Sequence, residues 1–405
     1  MMETKKTTTK RASTQKVKDY MGHKPHELNA NLFVDTSEQD YAYNEIVKIH
    51  ESKVTRLSNV LHIKLKLHES HFGLVPRGDI HTITAEPKVI NKTNEYIEKT
   101  NTFFIDDGDM LQGAKEGHHT GDAHETKINP QEEGKLFSKS LTPIAHKCLG
   151  ATAGNHDDQE QAERLRDVYA SILRVIYEET HKIPYAPRGL IFEVEMPVMK
   201  NGKLVGTETL CIVALHNWGK GGSKKLDSAE KTYSLGMGLI NKYNAKHGTK
   251  LIPNLILGAH YHNYADLDKN FEADTYDKNG LVIGSYVQTV HVRSCSTLQH
   301  VDSSSFNRGF SNPMRNTFKQ MDMYFEPNEK FDPYGINKQP KNVLILNEFP
   351  ILDKYGEYTT PAKEYMENRR DYSSEYYDKA KKIYDKMSAS TLAEIVEDGI
   401  DSLVK

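Results

Sequence analysis

Cysteine, tryptophan and long apolar stretches are what this chain has least of. Its 405 residues include 3 cysteines, Cys148, Cys211 and Cys295, an odd number at wide spacings. That excludes a disulfide-stapled scaffold and fits a reducing compartment. No apolar run approaches the ~18 residues that a membrane-spanning helix needs, so no membrane partner is expected. The opening residues, "MMETKKTTTKRASTQKVK", contain no apolar segment of the secretory kind, and a cytoplasmic location is the expectation. Charge of one sign is lacking too: 53 Lys and Arg against 56 Asp and Glu leave a net charge of −3. Such a molecule cannot hold nucleic acid by bulk charge, and any affinity of that kind needs a local patch. One residue type is plentiful, with 19 histidines.

Along the chain, residues 1–20 are mostly Lys, Arg, Thr and Ser and read as a disordered basic arm, followed by an N-terminal extension over 21–58. From 59 the texture changes. Leu61, Ile63, Leu65 and Leu67 alternate with polar residues, a strand pattern. "EPKVINKTNEYIEKT" has helical spacing, "TFFIDDGD" is a strand running into carboxylates, and "PQEEGKLFSKSLTPIAHK" reads as helix. "CLGATA" is a short buried strand that runs into Gly154-Asn155-His156-Asp157, and a long helix through "QEQAERLRDVYASILRVIYEETH" follows. Strand–helix alternation of this sort predicts an α/β domain. Longer strands come next around an Asn201-Gly202 hairpin signal, then a helix near 226–247, then "PNLILGAHYH". Strands at "GLVIGSYVQTVHV" and "KQMDMYFEP" complete a domain over 59–350, and the Tyr-rich, charged residues 351–405 read as a helical extension.

Five polar clusters stand at or just past the ends of expected strands. They are Glu69-Ser70-His71, Gly108-Asp109, Asn155-His156-Asp157, His216, and His260-Tyr261-His262. Ligands of open α/β sheets bind at the carboxyl ends of strands, so clusters there converge. Carboxylate, imidazole and amide without thiolate suit divalent metals such as Mn, Fe(II), Zn or Ni. Any one strand-end His is ordinarily structural; five clusters along one edge are harder to explain that way.

In this order the clusters, "ESH", "GD", "GNHD", "H" and "GAHYH", resemble the motifs of the calcineurin-like metallophosphoesterase superfamily over roughly residues 59–265. The resemblance implies a two-sheet α/β/β/α sandwich and a dinuclear, metal-dependent hydrolase acting on phosphoester bonds, with manganese as the favoured cofactor. It also implies a phosphodiesterase or nuclease that attacks in line with a metal-bridging hydroxide. Asp109 would bridge the two metals; Glu69, His71 and His262 would complete one, and Asn155, His216 and His260 the other. His156 would be the catalytic acid.

The family begins with D-x-H, and here two tripeptides compete for that place. Glu69/His71 end an alternating strand and are preferred; Asp79/His81 follow "VPRG", which reads as loop. Gln112 stands where many members carry an Asp that orients the catalytic His, which implies a weaker general acid. Trp218 and Lys220, beside the expected metal edge, are candidate substrate contacts for a base and a phosphate, against ordinary loop roles. Arg77, His118, His119 and His124 read as surface or loop residues. The substrate expected is a phosphoester, DNA or RNA included, and the texture resembles stand-alone members of the kind found in bacteriophages. "DDGDMLQG" is also similar to the 5′-nucleotidase branch, so a nucleotide phosphomonoesterase is the alternative, and a degenerate binding or structural member is the third reading. Oligomeric state is not legible.

Overall fold

The computed structural model describes residues 60–67, 69–112, 129–157, 171–216, 225–260, 264–276, 281–295, 318–331, 339–353 and 355–367. The arm at 1–20, the extension at 21–58 and most of the expected C-terminal helix lie outside them.

Two mixed sheets form the body. One has six strands in the order β1 (Val60–Lys66), β5 (Gly189–Lys200), β6 (Lys203–His216), β7 (Leu255–Ala259), β9 (Val282–Ser294) and β8 (Asp266–Tyr276). The other has five: β11 (Asn342–Pro350), β10 (Lys319–Pro327), β2 (His71–Arg77), β3 (Phe103–Asp107) and β4 (Cys148–Thr152). Residues beyond 275 therefore finish both sheets rather than one.

Alternation along the strands sorts side chains into layers. Phe72 and Leu74 of β2, with Phe103 and Ile105 of β3, face the six-stranded sheet, where they meet Phe192, Leu210 and Leu257. Val75 and Phe104, one residue out of phase, face the other way. They pack with Val89, Tyr96 and Ile97 of α1 (Pro87–Lys99) and Phe137 and Leu141 of α2 (Pro130–Leu141). On the outer face of the six-stranded sheet, Ile191, Val213 and Ile256 cover Ile240 and Tyr243 of α3 (Lys225–His247). Helices thus lie outside each of two stacked sheets, and an apolar cluster fills the space between them, with the Arg293–Glu348 ion pair crossing from β9 to β11.

Local signals account for the helix starts. Pro130 opens α2 behind Asn129, whose side chain accepts from the Glu132 N–H while Glu132 reaches back to the Asn129 N–H. Pro87 opens α1. The Asn201-Gly202 hairpin is present, with φ of 52° and 72° at the two turn residues. Of the helix expected after Asp157, residues 158–170 are outside the described set; the described remainder ends in a π-helical turn, Val175–Thr180. Ile172 there packs on the core, whereas Val175 is exposed.

Strand directions locate the functional edge. β2, β3 and β4 run parallel, as do β6 and β7. β1 runs the other way: it is parallel to β5, and β5 is antiparallel to β6. The ends of β2, β3, β4, β6 and β7 therefore share one edge of the sandwich, and the end of β1 points to the opposite one. Among the described residues no helix is long and apolar enough to cross a membrane.

Candidate metal centre

The segments after β2 and β3 leave the sheet side by side. The N–H groups of Asp79, His81 and Thr82 donate to the carbonyls of Gly108, Asp109 and Met110, each at 3.0 Å. This ladder sets Asp79-Ile80-His81 against Gly108-Asp109. Directly beneath, Arg77 and Asp106 form a buried two-pronged ion pair, Nε to Oδ1 at 2.7 Å and Nη2 to Oδ2 at 2.9 Å. Tyr177 Oη donates to the same carboxylate at 2.8 Å, and Arg77 Nη1 donates to Asn94 Oδ1 at 3.0 Å. The loop bearing Asn155 and His156 arrives from β4, and Gly154 is obligatory there, since a Cβ would sit 2.0 Å from Asp109 Oδ1.

Seven side chains converge. Asp79, His81, Asp109 and His216 are buried, while Asn155, His156 and His260 form a partly open side. Two groups could each hold a metal ion: His81, Asp109 and His156, and Asp109, His216 and His260. Asp109 belongs to both. Four residues of this site have left-handed backbone, Asp79 (φ 50°), His81 (49°), Asp109 (54°) and His260 (94°). Side chains other than Gly avoid that region, and strained backbone concentrates at functional sites.

Tautomers follow from main-chain acceptors. His216 Nδ1 lies 2.8 Å from Asp107 O and His156 Nδ1 lies 2.6 Å from Gln112 O. A carbonyl only accepts, so each Nδ1 carries the hydrogen and each Nε2 is the free-acting atom. His216 Nε2 is then 3.2 Å from Asp109 Oδ2 and 3.1 Å from Asn155 Oδ1, and His260 Nδ1 is 2.6 Å from the same Asn155 oxygen. Asp109 Oδ2 is buried, with His216 Nε2 as its neighbour. A carboxylate, an amide oxygen and two imidazoles are thus gathered at one point, a donor set that suits a divalent cation.

Burial pushes the carboxyls of Asp79 to about 8 and of Asp107 and Asp157 to about 7. Burial acts upward on Asp109 as well, but the imidazoles of His216, His156 and His81 hold it well below the usual carboxylate range. For His216, burial disfavours the charged ring, yet Asp109 with Asp79 and Asp107 drives it up to about 10. In the metal-free chain, protons are held where the carboxylates crowd.

The structure brings together Asp109, Asn155, His156, His216 and His260 as the sequence suggests. It does not bring Glu69 or His71. Glu69 accepts from Asn101 Nδ2 at 3.0 Å, and His71 Nδ1 lies 3.1 Å from Asp322 Oδ2. His71 is the first residue of β2, and six steps of ~3.3 Å put it ~20 Å from the strand's functional end. The strand that leads Glu69 and His71 is β1, which runs away from the site; Asp79/His81 take the place instead. Arg77 is correspondingly buried, not surface. Gln112 orients His156, but through its carbonyl; its side chain accepts from Thr84 Oγ1 at 3.3 Å. His262, Trp218, Lys220, His118, His119 and His124 lie outside the described residues. One residue that the sequence reading left without a role is Asp157: its carboxylate accepts from the N–H groups of Asp109 (2.7 Å), Gly154 (2.9 Å) and Leu111 (3.3 Å).

No protein-family model matches this chain, and no curated protein is similar to it in sequence.

Proposed function

We propose that the chain is a metal-dependent phosphoester hydrolase of the calcineurin-like metallophosphoesterase kind, with phosphodiesters, nucleic acid included, as its substrates. The single observation that carries the reading is the convergence of Asp109, Asn155, His216 and His260, a carboxylate, an amide oxygen and two imidazoles linked by successive contacts of no more than 3.2 Å. Asp109 shared by two potential ligand groups supports a pair of ions. Asp79, His81 and Asp109 would hold one, with His262 expected to join them; Asp109, Asn155, His216 and His260 would hold the other. Donors of this type suit Mn²⁺, with Fe²⁺, Zn²⁺ or Ni²⁺ also compatible. When bound, two such ions supply an activated water and neutralise charge on the phosphate oxygens.

The chain's own residues would do the rest. His156 is held by Gln112 O through Nδ1, so a proton on Nε2 is the one available to the departing oxygen. Gln112 offers that ring a neutral carbonyl and no carboxylate, which favours esters with good leaving groups. Two stacked mixed sheets with helices on their outer faces are consistent with the sandwich that the resemblance implies.

Hydrolysis of bis-p-nitrophenyl phosphate against p-nitrophenyl phosphate, with Mn²⁺-loaded protein and the Asp109→Asn variant as control, tests the reading. Faster diester cleavage that disappears in the variant is expected. Preference for the monoester would favour a nucleotidase, and inactivity on both with no bound Mn²⁺ would sink the proposal.

A further inference from the structure

Asp109 and Asp157 grip each other's loops. Asp109 Oδ1 accepts the His156 N–H at 2.7 Å, and Asp157 Oδ2 accepts the Asp109 N–H at 2.7 Å. The same Asp157 oxygen takes the Gly154 N–H at 2.9 Å, and its other oxygen faces the Leu111 N–H at 3.3 Å. Each carboxylate is thus tied to the main chain from which the other projects. Asp157 is buried, and its three donors come from both sides of the cleft between the β3 and β4 loops. Asp109 meanwhile sits at φ 54°, an uncommon conformation for a residue with a Cβ. Its backbone is held from both sides, the carbonyl by the His81 N–H and the N–H by the Asp157 carboxylate.

We infer that Asp157 is a positioning residue: it fixes the backbone of Asp109 so that one carboxylate serves both halves of the metal centre. The inference rests on the proposed metal-dependent reading. It concerns hydrogen bonding and not charge, which makes a specific contrast between two substitutions. In Asp157→Asn, the amide oxygen can still accept from Asp109 and Gly154, leaving its NH₂ against only the longest of the three bonds. In Asp157→Ala, no acceptor remains.

The test is Mn²⁺ titration of wild type, Asp157→Asn and Asp157→Ala, read by electron paramagnetic resonance, which separates exchange-coupled Mn²⁺ pairs from isolated ions. Circular dichroism of each variant checks folding. Wild type should show the coupled signal. Asp157→Asn should keep it, and Asp157→Ala should lose it, with the second Mn²⁺ weakened ~10–100-fold as for other supporting partners of metal ligands. If Asp157→Ala does not fold, Asp157→Asn decides alone: a retained coupled signal supports the inference. A folded Asp157→Asn that loses coupling overturns it in favour of a charge role. A folded Asp157→Ala that keeps wild-type coupling and affinity also overturns it, with the metal-dependent reading intact. A wild-type chain with no coupled pair overturns both.

Discussion

Strand β2 carries an acid and a histidine, two residues apart, at each of its ends. Glu69 precedes it and His71 is its first residue; Asp79 and His81 follow it. Chemically the pairs are near equivalents, yet their surroundings differ in every respect. At the entry, His71 is partly exposed and meets one carboxylate, Asp322, while Glu69 meets an amide. At the exit, Asp79 and His81 are fully buried, left-handed in backbone and laddered to the loop that bears Asp109. The difference teaches that strand direction, more than side-chain type, decides which polar pair is recruited. Only the exit end faces the ends of β3, β4, β6 and β7.

The largest expected effect tests this asymmetry directly. Asp79→Ala or His81→Ala should abolish Mn²⁺-dependent diester cleavage, a loss beyond the ~10–100-fold that an indirect partner of a metal ligand costs. Glu69→Gln and His71→Ala should leave the rate unchanged. Equal losses at the two ends, measured as kcat/KM, would defeat the assignment.

Stability offers a second contrast. Arg77→Met strands the Asp106 carboxylate in the core and should cost about 3–5 kcal/mol. Its counterpart at the entry, His71→Ala, breaks a partly exposed pair and should cost less than ~1 kcal/mol. Urea denaturation midpoints compare them, and similar shifts would contradict the burial difference.

The exit end should also titrate. Asp107 and Asp157 are raised by burial to about 7 and Asp79 to about 8, whereas unfolded aspartates ionise near 4. Between pH 5 and 8 the folded state therefore binds more protons than the unfolded one, so the metal-free chain loses stability as pH rises. His216, raised to about 10, acts in the same direction above its ordinary range. The depressed Asp109 is ionised in both states throughout this window. Thermal melts at pH 5.5 and 8 should show the drop, and saturating Mn²⁺ should reverse it at pH 8. A melting point that climbs with pH in chelator would refute the account.

The smallest effect is expected at Gln112. Gln112→Ala keeps the carbonyl that holds His156, so kcat should fall by no more than ~3-fold, on the order of one weak hydrogen bond. A loss of two orders of magnitude would mean that the side chain, not the main chain, orients the ring.

Much of this was legible in the residues themselves. The α/β class, the Asn201-Gly202 hairpin and the Gly108-Asp109 and Asn155-His156 loops follow from alternation, turn chemistry and polar strand ends. β2 was not legible, because "HFGLVPR" is interrupted by Gly73 and Pro76 and a proline within a run argues against a strand. The fold accommodates Pro76 because antiparallel pairing with β10 covers only residues 71–74 of β2. β1, by contrast, displays an alternating pattern so clearly that it attracted the metal motif, although its direction depends on β5, far along the chain. β8, an edge strand with polar residues on its exposed side, also lacked a strand signature. The part played by Asp157 is written in main-chain contacts between separate loops, which no spacing reveals.

The hydrogen bond from His156 to Gln112 O has a consequence for how this site can drift. A main-chain carbonyl is supplied by every amino acid, so the contact with His156 itself makes no demand on the side chain at position 112. What must be preserved is the path of the loop, and that path is pinned by Glu133 on α2, whose Oε1 accepts the Gln112 N–H at 2.5 Å. The support for the His156 contact therefore reaches 21 residues downstream, to a buried glutamate on α2. A sequence comparison that weighs only the loop would look for it in the wrong place.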